Sequence, residues 1–134
     1  MKLAELKGDV VILACAISAG IHGALVPGHF DEGTGAGLGF VAATVALAGL
    51  VVWLTWRPAN PPALATAAVT LTGLLASYAL ATTTGLPVLH PDPEPVDGLA
   101  LATKAIEAAG LLAATSLLWR HPAVTLPQPK GRLT

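Results

Sequence analysis

The sequence predicts an all-α fold, namely a membrane-spanning antiparallel four-helix bundle with both termini in the cytoplasm. Of the 134 residues, 54% are hydrophobic and 11% are charged, whereas about a quarter of the residues of a soluble domain are charged. The hydrophobic residues form four separate runs, and each supplies the roughly 20 apolar residues with which a helix crosses a bilayer. We therefore expect a single integral membrane domain over residues 1–134.

The four predicted helices cover about residues 9–26, 35–56, 63–85 and 96–119. Each gap between them contains proline or glycine, at which helices commonly end; Pro27 and Gly28 are expected to end the first. Asp97 is expected at the N-terminus of the fourth helix, where a carboxylate is favourable. Residues 120–134 are expected to form a flexible cytoplasmic tail. Small residues, among them Ala105, Ala109 and Ala113, are expected to let the helices pack closely, either within the bundle or between copies of the chain.

The positions of the cationic residues predict the orientation. Lysines and arginines outside the helices lie near the N-terminus, at Arg57 and from Arg120 onward, and the other two loops contain none. Because cytoplasmic loops are enriched in these residues, both termini and the 57–62 loop are predicted to be cytoplasmic. The formal net charge of −1 and the lack of a basic stripe argue against a nucleic-acid partner.

Polar residues inside the predicted spans are the first candidate site. Lys104 and Glu107 lie three positions apart on one face of the fourth helix, so they are able to pair. His22 and Ser18 share a face of the first helix, and Tyr78 lies at a similar depth in the third. Charged groups within a membrane are costly and are candidates for function. Three simpler interpretations stay open: a Lys–Glu pair that only fixes helix register, a lysine that extends to the membrane surface without a function, and a histidine that is a hydrogen-bonded core residue.

The two loops predicted to lie outside the cell form a second candidate site. They contain His29, Asp31, Glu32 and His90. Imidazole and carboxylate ligands suit a transition metal, here copper or zinc. The alternative is an acidic, solvated loop without a metal. The single Cys15 excludes an intramolecular disulfide and a cysteine cluster.

Several short motifs occur together and in a fixed order. They are Ala19-Gly20-Ile21-His22, Pro27-Gly28-His29-Phe30 with Glu32, Gly39-Phe40, Gly85-Leu86-Pro87, Glu94-Pro95-Val96-Asp97 and Lys104-Ala105-Ile106-Glu107. With these motifs the chain resembles small four-helix integral membrane proteins of high-GC bacteria, over about residues 10–120. The resemblance implies the same fold and topology, in a bacterial plasma membrane, and it implies no activity and no cofactor.

The function expected from these observations is that of a binding or accessory membrane protein. Its outward-facing intramembrane pocket would hold an ion, a proton or a small ligand, with Glu107 as acceptor, Lys104 as its charge partner and His22 as the group that titrates near neutrality. Two alternatives stay open: a copper or zinc protein of the extracytoplasmic side, and a structural subunit of a larger membrane complex. The expected partners are the lipid bilayer and either a second copy of the chain or such a complex. No enzyme motif is present.

Overall fold

The chain forms four long apolar α-helices. A computed structural model describes residues 3–58, 60–87 and 92–120. The helices are α1 (Leu3–Glu32), α2 (Thr34–Trp56), α3 (Pro61–Thr83) and α4 (Gly98–Leu118). Each of the four is long and apolar enough to cross a membrane. The prediction of an all-helical chain with four candidate spans is therefore confirmed for the described residues.

Helix α1 is longer than the sequence predicted, and its predicted end at Pro27 is wrong. The helix continues through Pro27 to Glu32, and only Gly33 separates it from α2. A proline removes one backbone hydrogen bond from a helix. In apolar surroundings, however, continued helix remains the way to satisfy the backbone groups that follow. His29 and Glu32 consequently lie on the last turn of α1 and not in a loop, and the same correction applies to Asp31.

Side-chain caps set the starts of α3 and α4. The Asn60 side chain accepts a hydrogen bond of 3.1 Å from the Ala63 amide. Pro61 and Pro62 occupy the first helical positions, where a missing amide hydrogen costs nothing. The Asp97 carboxylate accepts a hydrogen bond of 2.8 Å from the Ala100 amide, which confirms its predicted place at the start of α4. The caps place these starts at residues 61 and 98, where the sequence predicted about 63 and 96.

Helix α1 packs against α2 and α4, and α3 packs against α4 and α2. The buried apolar core uses the early part of α1 and α3 and the late part of α2 and α4. Its largest fully buried apolar side chains are those of Val11, Leu47, Leu54, Leu64 and Leu71. The late part of α1 and α3 and the early part of α4 carry the polar residues that the sequence singled out.

The contact between α1 and α4 depends on a glycine. A Cβ placed on Gly110 would lie 2.5 Å from the Cβ of Ala14, closer than real Cβ atoms approach each other. Ala105 and Ala109 are exposed and do not pack within the bundle, so that part of the prediction is wrong, whereas Ala113 is buried as expected. The buried face of α4 consists of Thr103, Glu107, Gly110, Ala113, Ala114 and Leu117.

Candidate functional site

A fully buried carboxylate lies where α1 meets α4. The side chain of Glu107 is 0% exposed. Its Oε1 accepts a hydrogen bond of 2.6 Å from the Ser18 hydroxyl on α1. Its Oε2 accepts a hydrogen bond of 2.7 Å from Nζ of Lys104, one turn earlier on α4. Each carboxylate oxygen therefore has its own donor, which is the arrangement that a buried ionised carboxylate requires.

His22 extends this group of polar side chains along α1. Its Nδ1 donates to the Ser18 carbonyl at 2.9 Å and lies 3.3 Å from the Ser18 hydroxyl oxygen. Because the Ser18 proton is directed at Glu107, the hydroxyl oxygen acts as acceptor toward His22. The hydrogen bonds thus run in one direction, from His22 through Ser18 to Glu107. Because Nδ1 of His22 is hydrogen-bonded to Ser18 of the same helix, Nε2 is the ring nitrogen that is available to other partners.

Tyr78 on α3 lies beside the ammonium group of Lys104. Nζ of Lys104 is 5.5 Å from the centre of the Tyr78 ring, which is within the range of a cation–π interaction. The Tyr78 hydroxyl is buried and has no hydrogen-bond partner among the described residues. A buried hydroxyl without a partner is uncommon and costly. The structure therefore brings Ser18, His22, Tyr78, Lys104 and Glu107 together from three helices.

Above this group of side chains lies a cavity of about 480 Å³, to which all four helices contribute. Lys104, His22 and Tyr78 line it, whereas Glu107 and Ser18 do not. The Lys104 side chain therefore lines the cavity and also contacts the buried carboxylate. The large apolar side chains that line the cavity are Ile21, Leu25, Phe40, Leu74, Leu86 and Leu99.

Charged side chains lie at the opposite end of the cavity from Lys104, which we call the mouth. Glu32, from the end of α1, and Asp97, from the start of α4, line the mouth and are exposed. Nε2 of His29 lies 3.9 Å from Oε2 of Glu32. The His29 ring stacks on Phe40 of α2 with 3.6 Å between ring centres.

Phe40 is a site residue to which sequence reasoning gave no role. Its ring centre also lies 5.2 Å from that of His22, so one aromatic side chain contacts both histidines of α1. The signal available in the sequence was its rarity, since the chain has only two phenylalanines.

The predicted copper or zinc site stays a prediction. Of its four residues, the structure brings His29 and Glu32 near each other. In the ranges 3–58, 60–87 and 92–120, no three histidine, cysteine, aspartate or glutamate side chains form a group able to hold a metal ion. His90 lies outside the described residues.

Comparison with known proteins does not add to this geometry. No protein-family model, curated protein or solved structure matches the chain. The chemistry of the cavity therefore carries the functional argument.

Proposed function

We propose that this chain is a multi-pass protein of the bacterial plasma membrane that binds a small ligand in its intramembrane cavity. The observation that carries the proposal is a buried carboxylate, held by Ser18 and Lys104, directly beneath a cavity of about 480 Å³. A Lys–Glu pair that serves only helix packing needs no cavity above it. Pockets for small ligands have volumes of about 300–1,000 Å³ and combine apolar walls with a few polar groups, as this cavity does.

The proposed topology places the mouth on the outside. We propose an antiparallel bundle in which both termini and the turn between α2 and α3 are cytoplasmic. Its support is the charge distribution: Arg57 and Arg120 flank one set of helix ends, and Glu32 and Asp97 lie at the other. Because cations are retained on the cytoplasmic side, the acidic mouth would open to the extracytoplasmic side.

Filling the cavity tests the proposed function. Ala43 of α2 lines the cavity, while its neighbour Ala42 is exposed on the outer surface of the same helix. Replacing Ala43 with phenylalanine places a ring in the cavity, and replacing Ala42 with phenylalanine adds the same ring outside it. The probe is naphthamide, an uncharged bicyclic amide whose own fluorescence reports its binding to the purified protein.

The wild type and Ala42→Phe are expected to bind naphthamide saturably, and Ala43→Phe is expected to lose at least about tenfold in affinity, or about 1.4 kcal/mol. Circular dichroism and gel filtration verify that both variants are folded. Saturable binding that is equal in Ala42→Phe and Ala43→Phe, or no saturable binding to the wild type, would contradict the proposal.

The other expected functions stay predictions. The role as a copper or zinc protein depends in part on His90, which the structure does not describe. The role as a subunit of a larger membrane complex, and the formation of a homo-oligomer, rest on the sequence alone.

A further inference from the structure

We propose that the ligand of this cavity is a small apolar carboxylic acid, bound as its anion by Lys104 while its proton moves to Glu107. This inference rests on the proposed ligand-binding function and adds the chemical class of the ligand. It follows from three features of the site: the donors that line the cavity, the charge balance of the Lys104–Glu107 pair, and the direction of the hydrogen bonds from His22 to Glu107.

Two of the polar side chains that line the cavity, Lys104 and Tyr78, carry hydrogen-bond donors. Lys104 has one of its three N–H bonds directed at Glu107, and the Tyr78 hydroxyl has no acceptor among the described residues. Both residues line the cavity. A carboxylate is the common ligand group that accepts from an ammonium and a phenol at once. The apolar side chains between this end and the mouth then surround the hydrocarbon part of the acid.

Charge balance explains why a proton accompanies the anion. Without ligand, the Lys104 cation and the Glu107 anion form a site with no net charge. A second carboxylate beside Lys104 would leave one uncompensated negative charge in an environment that does not solvate it, which is strongly unfavourable. Protonation of Glu107 restores the balance, because Lys104 then pairs with the bound anion.

The side chains of α1 provide a path for that proton. The acid gives its proton to Nε2 of His22, and the Nδ1 proton of His22 passes to the Ser18 oxygen, 3.3 Å away. The original hydroxyl proton of Ser18 passes to Oε1 of Glu107 over the 2.6 Å hydrogen bond. One O–H bond of the ligand breaks and one O–H bond of Glu107 forms. His22 and Ser18 end with as many protons as they had.

The acidic mouth is consistent with this order of events. The carboxylates of Glu32 and Asp97 line the mouth, so they repel a free anion and admit the neutral acid. The proton is then separated from the ligand only next to Lys104, where the anion finds a counter-charge.

The remaining titratable groups near Glu107 are few. Cys15 of α1 is buried and close enough to interact with Glu107 electrostatically. Tyr78 is the one titratable residue of α3, and α2 contains none. His29, near the mouth, is a further titratable group that interacts with His22. None of these joins the path from His22 to Glu107.

The experiment compares naphthoate with naphthamide, its uncharged isostere. Both are titrated into the wild type, Glu107→Gln, Lys104→Gln and the control Glu5→Gln, which removes an exposed carboxylate near the start of α1. Proton uptake is measured with a pH indicator in weakly buffered solution between about pH 6 and about pH 8, where naphthoate in water is an anion. Naphthamide reports whether the cavity of each variant binds a ligand at all.

In the wild type and Glu5→Gln, about one proton is expected to be taken up per naphthoate bound, and the affinity is expected to fall about tenfold per pH unit. Glu107→Gln presents a neutral amide, so Lys104 is free to pair with the anion. This variant is expected to bind naphthoate without proton uptake and with an affinity that is independent of pH. Lys104→Gln is expected to lose naphthoate binding and keep naphthamide binding.

Several outcomes would overturn the inference. Naphthoate binding to the wild type without proton uptake, which needs no variant to measure, excludes the coupled proton. Equal proton uptake in wild type and Glu107→Gln shows that the proton stays on the ligand. Naphthamide binding without naphthoate binding leaves the proposed function standing and excludes the acid as ligand. If neither probe binds the wild type, the proposed function fails, and the inference fails with it.

Discussion

The hydroxyl of Ser18 donates a hydrogen bond of 2.6 Å to Oε1 of Glu107 and so joins α1 to α4 across 89 positions of sequence. The other carboxylate oxygen is held from within α4 by Lys104. The ion pair lies within α4, whereas the hydrogen bond from Ser18 fixes the rotation of α1 relative to α4. The His22 ring, whose Nδ1 is held by Ser18, is positioned by the same residue.

Removal of the Ser18 hydroxyl is predicted to destabilise the protein. In Ser18→Ala, Oε1 of Glu107 loses its donor and stays buried, so the free energy of unfolding is expected to fall by about 1–3 kcal/mol. The control is Ser77→Ala, because the Ser77 hydroxyl donates only to the Leu74 carbonyl of its own helix; its effect is expected to be about 0.5 kcal/mol or less. Unfolding with denaturing detergent in mixed micelles measures both values. Equal effects of the two substitutions would contradict the role assigned to Ser18.

The Lys104–Glu107 pair is predicted to show strong coupling in a double-mutant cycle. Lys104→Met and Glu107→Leu each leave one charge without its partner, so each is expected to cost about 3–5 kcal/mol of unfolding free energy. The double variant Lys104→Met/Glu107→Leu leaves no unpaired charge and is expected to cost less than either single change. The same unfolding assay provides all three values. Additive single effects would show that the two residues do not stabilise each other.

The sequence predicts those parts of the fold that depend on length, composition and local chemistry. Runs of apolar residues predict the four helices, and Asp97 predicts the start of α4 because a cap acts within one turn. The end of α1 was not predictable in this way. Pro27 reads locally as a helix end, and only the apolar surroundings and the packing of the whole chain favour continued helix through it.

The rotation of each helix about its axis is the second feature that the sequence leaves open. Nearly every position of these helices is apolar, so the pattern does not distinguish a buried face from an exposed one. By sequence, Ala105 and Ala109 are therefore as suitable for packing as Gly110, although it is Gly110 that lies against Ala14 of α1. The depth of Ser18, His22 and Glu107 follows from counting residues, but their contact depends on rotation.

The close approach at Gly110 is predicted to be essential for packing α1 against α4. Gly110→Ala places a methyl group against Ala14, and overpacking of this kind is expected to cost about 1–3 kcal/mol. Gly73→Ala is the matched control, since a Cβ at Gly73 meets nothing within 4 Å, and it is expected to be neutral or slightly stabilising because alanine favours helix. The second change Ala14→Gly in the Gly110→Ala background is expected to restore part of the lost stability. If Gly110→Ala and Gly73→Ala have the same stability, the two helices do not approach as closely as described.

The proposed topology predicts which helix ends react with a reagent that does not cross membranes. Glu32 lies at the end of α1 with 48% of its side chain exposed, and Arg57 is exposed at the end of α2. In intact cells, a membrane-impermeant maleimide is expected to label Glu32→Cys. It is expected to label Arg57→Cys only after the membrane is permeabilised, because this end is proposed to be cytoplasmic. Cys15 is 0% exposed, so the native protein is expected to stay unlabelled in both conditions and to serve as the background.

The reverse pattern would place the acidic mouth in the cytoplasm. Labelling of both variants in intact cells would mean that these two helix ends do not lie on opposite sides of the membrane.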